Sequence, residues 1–156
     1  MKTIQALAVS VALAIGMAAP ASAGVNDPEV IIYRFPGVRD SGTGPALGVA
    51  TLFFCTNFSG ATENIRLVTR GETGSLLQNN VFLIGHLFTR TFATHLVAAY
   101  TSNDLSTSAV DPGTTAIAAT STNIICTAMT IDAANVRPVG VALRGIRFSP
   151  VPGSEE

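Results

Sequence analysis

Short runs of aliphatic, β-branched and aromatic residues, separated by clusters of Gly, Pro, Asn, Asp and Ser, recur along the chain from residue 30 onwards. Runs of this length with turn residues between them are typical of strands in β-sandwiches and β-barrels. No long segment shows a helical period with caps at its ends. The pattern predicts an all-β domain with seven strands, over residues 30–35, 47–56, 64–70, 76–84, 87–95, 123–131 and 139–148.

The sequences of two of these predicted strands also indicate which of their faces are buried. The strand at 47–56 is apolar almost throughout, which is typical of a central strand that is covered on both faces. The strand at 64–70 alternates instead, with Ile65 and Leu67 on one face and Arg66 and Arg70 on the other. That alternation predicts a strand with one solvated face.

The first residues have the pattern of an export signal. Lys2 precedes an apolar stretch over residues 4–19, and Ala21-Ser22-Ala23 then fits the small-x-small cleavage rule. A membrane anchor is the alternative, but the apolar stretch is short and the cleavage pattern follows it at once. We therefore expect a cleaved signal peptide over residues 1–23 and a single domain over residues 24–156. The mature chain is expected in the periplasm or outside the cell, with no membrane span.

Two cysteines, Cys55 and Cys126, are present, and both lie after the predicted cleavage site. Exported chains meet an oxidising compartment, so the pair predicts one structural disulfide. Two buried free thiols are the first alternative. A redox or metal-binding pair is the second, but the sequence has no C-x-x-C and no His at ligand spacing from either Cys.

The order of cysteines and strands resembles that of immunoglobulin-like domains. Cys55 lies on the second predicted strand and Cys126 on the sixth of seven, and in such domains a disulfide joins these strands across the core. The resemblance implies a seven-stranded Ig-like antiparallel β-sandwich of the kind found in small exported bacterial proteins. The chain departs from the pattern in having no Trp, and in having Ile124 where antibody-type domains place a Tyr.

The charge balance restricts the classes of partner. Nine basic and ten acidic residues give a formal net charge of −1. Nucleic-acid binding requires a basic field, and binding to anionic membrane surfaces requires one too. We therefore expect neither nucleic acid nor an anionic membrane surface as a partner.

Two groups of polar residues are candidate binding sites. If the third and last strands are neighbours, they create a face lined by arginines that would hold an acidic partner. The members of this group are Arg66, Arg70, Arg144 and Arg147. In an Ig-like order three connections also meet at one pole, where loop residues often bind ligands. The members of this second group are Arg39, Asp40, Glu72, Asn103, Asp104 and Asp111. Solvated arginines and Asx turns are the alternative interpretations.

Catalytic and metal-binding motifs are missing from the sequence. There is no G-x-S-x-G and no EF-hand pattern. His86 and His95 are expected at a turn and at a strand end, as surface or edge residues on opposite faces, and therefore not on one metal ion. We expect no cofactor and no metal. The prediction is a non-catalytic module that binds a protein or glycan partner. A subunit of a pilus-like or coat assembly is the alternative, and an enzyme with an unrecognised site is the third hypothesis.

Overall fold

The computed structural model of the protein describes residues 28–148. The predicted signal peptide over residues 1–23 lies outside this range. The described chain is all-β. It contains ten strands: β1 (Val30–Asp40), β2 (Val49–Asn57), β3 (Glu63–Arg70), β4 (Leu76–Ile84), β5 (Thr89–Ala93), β6 (Asn103–Asp104), β7 (Val110–Ala119), β8 (Ile124–Asp132), β9 (Val141–Leu143) and β10 (Ile146–Arg147). Over the same residues no helix is long and apolar enough to cross a membrane.

The strands form two five-stranded sheets. Sheet A has the order β10-β1-β7-β3-β4 and sheet B the order β6-β5-β2-β8-β9. Each pairing is antiparallel except that of β5 with β6. The two sheets share one apolar core. Ring contacts join them at both flanks, since the Phe35 and Phe53 centroids are 5.6 Å apart and those of Phe82 and Phe92 are 5.0 Å apart.

A second, smaller apolar cluster covers the other face of sheet B. Leu52 on β2 and Ile131 on β8 pack there with Val97, which belongs to the connection after β5. Tyr100 of the same connection lies edge-on to Phe54, with 5.4 Å between the ring centroids. Strand β2 is therefore covered on both faces, which confirms the interpretation of its nearly apolar sequence.

The predicted number of strands was too low, and the expected end of the first strand was also wrong. The segment between the predicted strands at 87–95 and 123–131 contains β6 and β7, and β7 is a central strand of sheet A. Strand β1 continues past its expected end at residue 35, because register shifts accommodate Pro36 and Gly37. The last predicted strand is divided into β9 and β10, which belong to different sheets.

The chain can pass between β9 and β10 only because residue 145 is a glycine. The chain passes there from sheet B to sheet A beside the ring of Phe35. A Cβ atom at this position would lie 2.4 Å from a ring carbon of Phe35, which is fully buried in the shared core. Only glycine therefore lets the backbone cross so close to the core.

The disulfide forms between Cys55 and Cys126, as the sequence predicts. Its place in the fold differs from the expectation. The two residues face each other on β2 and β8 within sheet B, with 4.2 Å between their Cα atoms. The prediction of a bridge between the two sheets was therefore wrong, and the bridge instead joins two neighbouring strands of one sheet.

Candidate functional site

Several of the predicted loop residues meet at one end of the molecule. Asp40 at the end of β1 pairs with Val110 at the start of β7, and Arg70 at the end of β3 pairs with Thr114. Because these strands are antiparallel neighbours, the connections next to them leave sheet A at the same end. We call this end the first pole.

An exposed ion pair joins two of these residues. Arg39 donates from Nε and Nη2 to the two carboxylate oxygens of Asp111, at 2.7 and 2.9 Å. The hydrogen bonds from Arg39 hold the pKa of Asp111 below its usual value, and those to Asp111 raise the pKa of Arg39. Both groups are therefore charged at neutral pH and neutralise each other, which weakens the case that either one binds an external ligand.

Asp40 is not a surface ligand but the centre of a buried network. One carboxylate oxygen accepts from the backbone N–H of Gly42 at 2.7 Å. The other accepts from the hydroxyl of Thr107 at 3.0 Å and lies 2.9 Å from Nδ1 of His95. Asp40 is 2 % exposed and His95 is 7 % exposed. The expectation of His95 as a surface or edge residue was therefore wrong.

The second ring nitrogen of His95 is also occupied. Its Nε2 lies 3.1 Å from the carbonyl oxygen of Leu47, in the connection between β1 and β2. The hydroxyl of Thr107 belongs to the connection before β7, so the network fastens three separate segments together. With both ring nitrogens in contact with protein groups, His95 holds these loops together.

Asn103 and Asp104 have local partners. The side-chain amide of Asn103 donates to the carbonyl oxygen of Thr91 at 3.0 Å, beside the parallel pairing of β5 and β6. Asp104 accepts from the backbone N–H of Ser106 at 2.6 Å, which is the geometry of an Asx turn. Within residues 28–148 no group of three or more His, Cys, Asp or Glu side chains could hold a metal ion.

The predicted arginine face does not form. Strands β1 and β7 lie between β10, which carries Arg147, and β3, which carries Arg66 and Arg70. Arg144 lies between β9 and β10, outside both sheets. The condition for this face, that the third and last strands are neighbours, is not met because the last strand is divided and its final part pairs with β1.

Three of the four arginines proposed for this face each donate a hydrogen bond to a different group of the protein. Arg66 forms an ion pair with Glu29, which raises the pKa of the guanidinium, and it also donates to Oδ1 of Asn79 at 3.0 Å. Arg70 donates to the carbonyl oxygen of Gly74 at 2.9 Å. Arg147 donates to the carbonyl oxygen of Thr122, also at 2.9 Å. These arginines therefore act separately and do not form one binding surface.

The opposite end of the molecule carries a different kind of surface. Three large apolar side chains are exposed there on two loops, Phe58 by 49 %, Leu87 by 63 % and Phe88 by 65 %. We call these three residues the apolar tip. Single exposed apolar residues are common on proteins, but a cluster of large ones is a feature of interaction sites.

Backbone hydrogen bonds lock the two loops of the tip together. The N–H of Leu87 donates to the carbonyl oxygen of Asn57 at 2.7 Å, and the N–H of Asn57 donates to the carbonyl oxygen of Phe88 at 3.1 Å. The N–H of Phe58 donates to the carbonyl oxygen of Asn123 at 2.8 Å, which adds a third loop. The tip is therefore held by the backbone and not by its own exposed side chains.

A fully buried amide fastens the same loops from inside. The side chain of Asn57 donates to the carbonyl oxygens of Ala61 and Ile84, at 2.7 and 2.8 Å, and accepts from the N–H of Ser59 at 2.8 Å. His86, which the sequence placed in a turn, accepts from the N–H of Gly60 through Nδ1 at 3.0 Å. These bonds fix the direction in which the tip points.

Leu87 has a backbone conformation that leucine rarely adopts. Its φ is +62°, in the left-handed region, where a side chain with a Cβ is strained. Such conformations persist where the surroundings impose them, and they concentrate at functional sites. The strained residue is also one of the most exposed of the apolar tip, so the strain serves no packing inside the protein.

Sequence reasoning missed the tip because Leu87 and Phe88 look like the start of a strand. Strand β5 in fact begins at Thr89. The usable signal was the short segment Gly85-His86, which leaves two large apolar residues in the turn that follows it.

Glu63 is the most deeply buried acidic residue near this end. Its Oε2 accepts from the hydroxyl of Thr120, and its Oε1 has no hydrogen-bond partner among the residues that the structure describes. The side chain is fully buried, so it does not belong to the solvent-facing surface of the tip.

No family model, curated protein or solved structure matches this chain. The candidate site therefore depends on its own geometry.

Proposed function

We propose that this protein is an exported, non-catalytic β-sandwich that binds a protein partner through the apolar tip. The single observation that carries the proposal is the set of Phe58, Leu87 and Phe88, which are exposed yet fixed by hydrogen bonds between their loops. Export is supported by the signal pattern over residues 1–23 and by the disulfide, which suits an oxidising compartment.

Preorganisation makes the tip suited to binding. Loops that are already ordered lose little conformational entropy when a partner covers them, so more of the contact energy appears as affinity. Burying the exposed part of each large apolar side chain contributes about 1–2 kcal/mol. Three such side chains at the centre of an interface are enough for the energetic anchor that most protein interfaces contain.

The chemistry of the tip favours a protein over a glycan. Sugar recognition combines an aromatic platform with polar side chains that bind hydroxyl groups. Near the tip, the side-chain amide of Asn57 donates to the carbonyl oxygens of Ala61 and Ile84. The hydroxyl of Ser59 also donates to the carbonyl oxygen of Ala61, at 3.1 Å. His86 is also exposed in the same loop, but the three largest solvent-facing side chains of the tip are apolar, which suits an apolar hollow on a protein.

A double variant of the tip tests this proposal. Phe58→Ser with Phe88→Ser is expected to weaken partner binding at least about 30-fold, because roughly 2 kcal/mol of apolar burial is removed. The wild-type protein is immobilised, a partner is recovered from the exported fraction of the host, and the affinity of each variant for it is measured by calorimetry.

The matched control replaces two apolar residues at the other end of sheet B. Val136 and Val139 are 69 % and 94 % exposed, and Val136→Ser with Val139→Ser should leave the affinity within about twofold of wild type. Equal affinity for the wild type and the tip variant, with both folded by circular dichroism, would refute the proposal.

A second candidate function is a subunit of a surface assembly. One observation favours it: the long strand β4 is at the edge of sheet A, with no strand on its other side in residues 28–148.

A further inference from the structure

The four edge strands of the two sheets are very different in length. Strands β10 and β6 have two residues each and β9 has three, whereas β4 has nine. Very short edges are one of the ways in which proteins avoid unwanted strand pairing. Three edges of this molecule are protected in that way, and β4 is not.

Strand β4 also lacks the other protective features. Its sequence LLQNNVFLI contains no charged residue and no proline. The single register shift in its pairing with β3 lies near the first pole, between Thr69 and Arg70. Residues 78–84 therefore form a regular ladder with β3. Charges, prolines and bulges are what usually block an edge. In the part of the chain that the structure describes, no strand pairs with this edge, and a loop contact is made by the Gln78 side chain, which donates to the carbonyl oxygen of Ser106 at the end near the first pole.

We propose that β4 pairs antiparallel with β4 of a second copy of this chain, around a two-fold axis through Val81. The pairing would join the two A sheets into one continuous ten-stranded sheet. A two-fold axis at the centre of the regular ladder places Val81 opposite its own copy and Leu83 opposite Asn79. The proposal does not depend on the apolar tip, since it concerns the edge of sheet A.

Side-chain exposure supports this register. Val81 is 44 % exposed and Leu83 is 52 % exposed on the outer face of β4. Across the axis Val81 would meet Val81, and Leu83 would become its diagonal neighbour, so both would lose solvent contact. Cross-strand pairs of β-branched and aliphatic residues of this kind stabilise antiparallel sheets.

Asn80 supplies an independent observation. Its Oδ1 is enclosed and has no hydrogen-bond partner in the part of the chain that the structure describes. With the axis at Val81, the two Asn80 side chains become diagonal neighbours on the same face. Diagonal neighbours are about 7–8 Å apart, so turning each amide toward the axis would let the amide nitrogen of one copy donate to the oxygen of the other.

The charges next to the edge do not oppose self-pairing. Arg66 on β3 lies directly opposite Val81, and its ion pair with Glu29 neutralises it. Three strand spacings would separate the two Arg66 residues in the dimer, which is about 14 Å. At that distance ordinary salt concentrations screen most of the remaining repulsion.

The small area of the β4 edge determines how tightly the two copies are expected to bind. Seven regular residues in each copy bury less than the roughly 1,200 Å² that marks the lower limit of stable interfaces. We therefore expect a reversible dimer with a dissociation constant in the micromolar range, and not a permanent one.

Charge substitutions at Val81 test both the edge and the axis. Val81→Lys alone and Val81→Glu alone place like charges opposite each other, and each should raise the dissociation constant of the dimer at least about tenfold in sedimentation velocity. An equimolar mixture of the two variants should recover dimers, because Lys then faces Glu across the axis. Val139→Lys, at an exposed position elsewhere, should dimerise like wild type.

Three results would overturn the proposal. The first is a wild-type protein that is monomeric up to about 100 μM, well above the expected micromolar dissociation constant. The second is a Val81→Lys variant that dimerises as well as wild type. The third is a mixture of the charge variants that stays monomeric while wild type dimerises, since residue 81 would then not face itself. Circular dichroism of each variant confirms that the fold is retained.

Discussion

A chain with both cysteines replaced, Cys55→Ala with Cys126→Ala, is expected to lose about 4 kcal/mol of unfolding free energy. The bridge closes a loop with a sequence separation of 71 residues, so removing it releases much conformational entropy in the unfolded chain. The native fold should survive, because β2 and β8 remain paired over nine residue pairs. Urea denaturation followed by circular dichroism measures the loss.

The wild-type protein with its disulfide reduced is the matched control for that variant. If the bridge acts by cross-linking, the reduced protein and the double variant should have similar unfolding midpoints. A loss below about 1 kcal/mol in both would contradict a stabilising role for the bridge.

Asp40→Ala is expected to destabilise the protein by about 3 kcal/mol, because each buried polar group that loses its hydrogen-bond partner costs about 1–3 kcal/mol. The substitution leaves His95 without its carboxylate partner and the N–H of Gly42 without its acceptor. The hydroxyl of Thr107 loses one of two acceptors and keeps the carbonyl oxygen of Thr94, at 3.0 Å. The three segments that meet at Asp40 would then lose their common attachment. Urea denaturation at neutral pH measures the effect.

Asp111→Ala is the matched control, since Asp111 is the other acidic residue that has a side-chain partner at this pole. It forms an exposed pair with Arg39, and exposed pairs contribute little to stability. We expect Asp111→Ala to unfold nearly as wild type does. Equal losses in the two variants would contradict the claim that the buried network fastens the first pole.

The elements that sequence predicted well are those whose pattern reports burial directly. A nearly apolar run identified β2 as covered on both faces, and alternation identified the inner and outer faces of β3. Both signals depend on local periodicity. In a strand, this periodicity alone determines which side chains share a face, whichever strands lie on either side.

Strand neighbours and strand limits were harder to predict. The sequence Asp111-Pro112-Gly113 is typical of a turn, yet it lies in β7, beside the irregular end of β1 that accommodates it. The spacing of two cysteines predicts a bridge but not whether its strands share a sheet. The likeness to immunoglobulin-type domains therefore stays a prediction, and the bridge within sheet B departs from it.

The partners of the candidate site residues could not be predicted for a related reason. Charged residues such as Arg39, Asp40 and Asp111 attract attention in a sequence, but the fold pairs them with each other or with buried groups. Which charges satisfy one another depends on contacts between residues that are distant in sequence. The apolar tip escaped notice because Leu87 and Phe88 look like residues of a strand, where large apolar side chains are expected to face a core, whereas the structure shows them exposed.

Site-specific photo-crosslinking gives the most direct test of the binding surface. A photoreactive amino acid is placed at position 58 or 88 on the apolar tip, or at position 136 or 139 at the other end, and the protein is expressed in its host. Our account predicts adducts of one discrete partner mass from positions 58 and 88, and none from 136 or 139. The same adducts from 136 and 139, with none from 58 or 88, would contradict it.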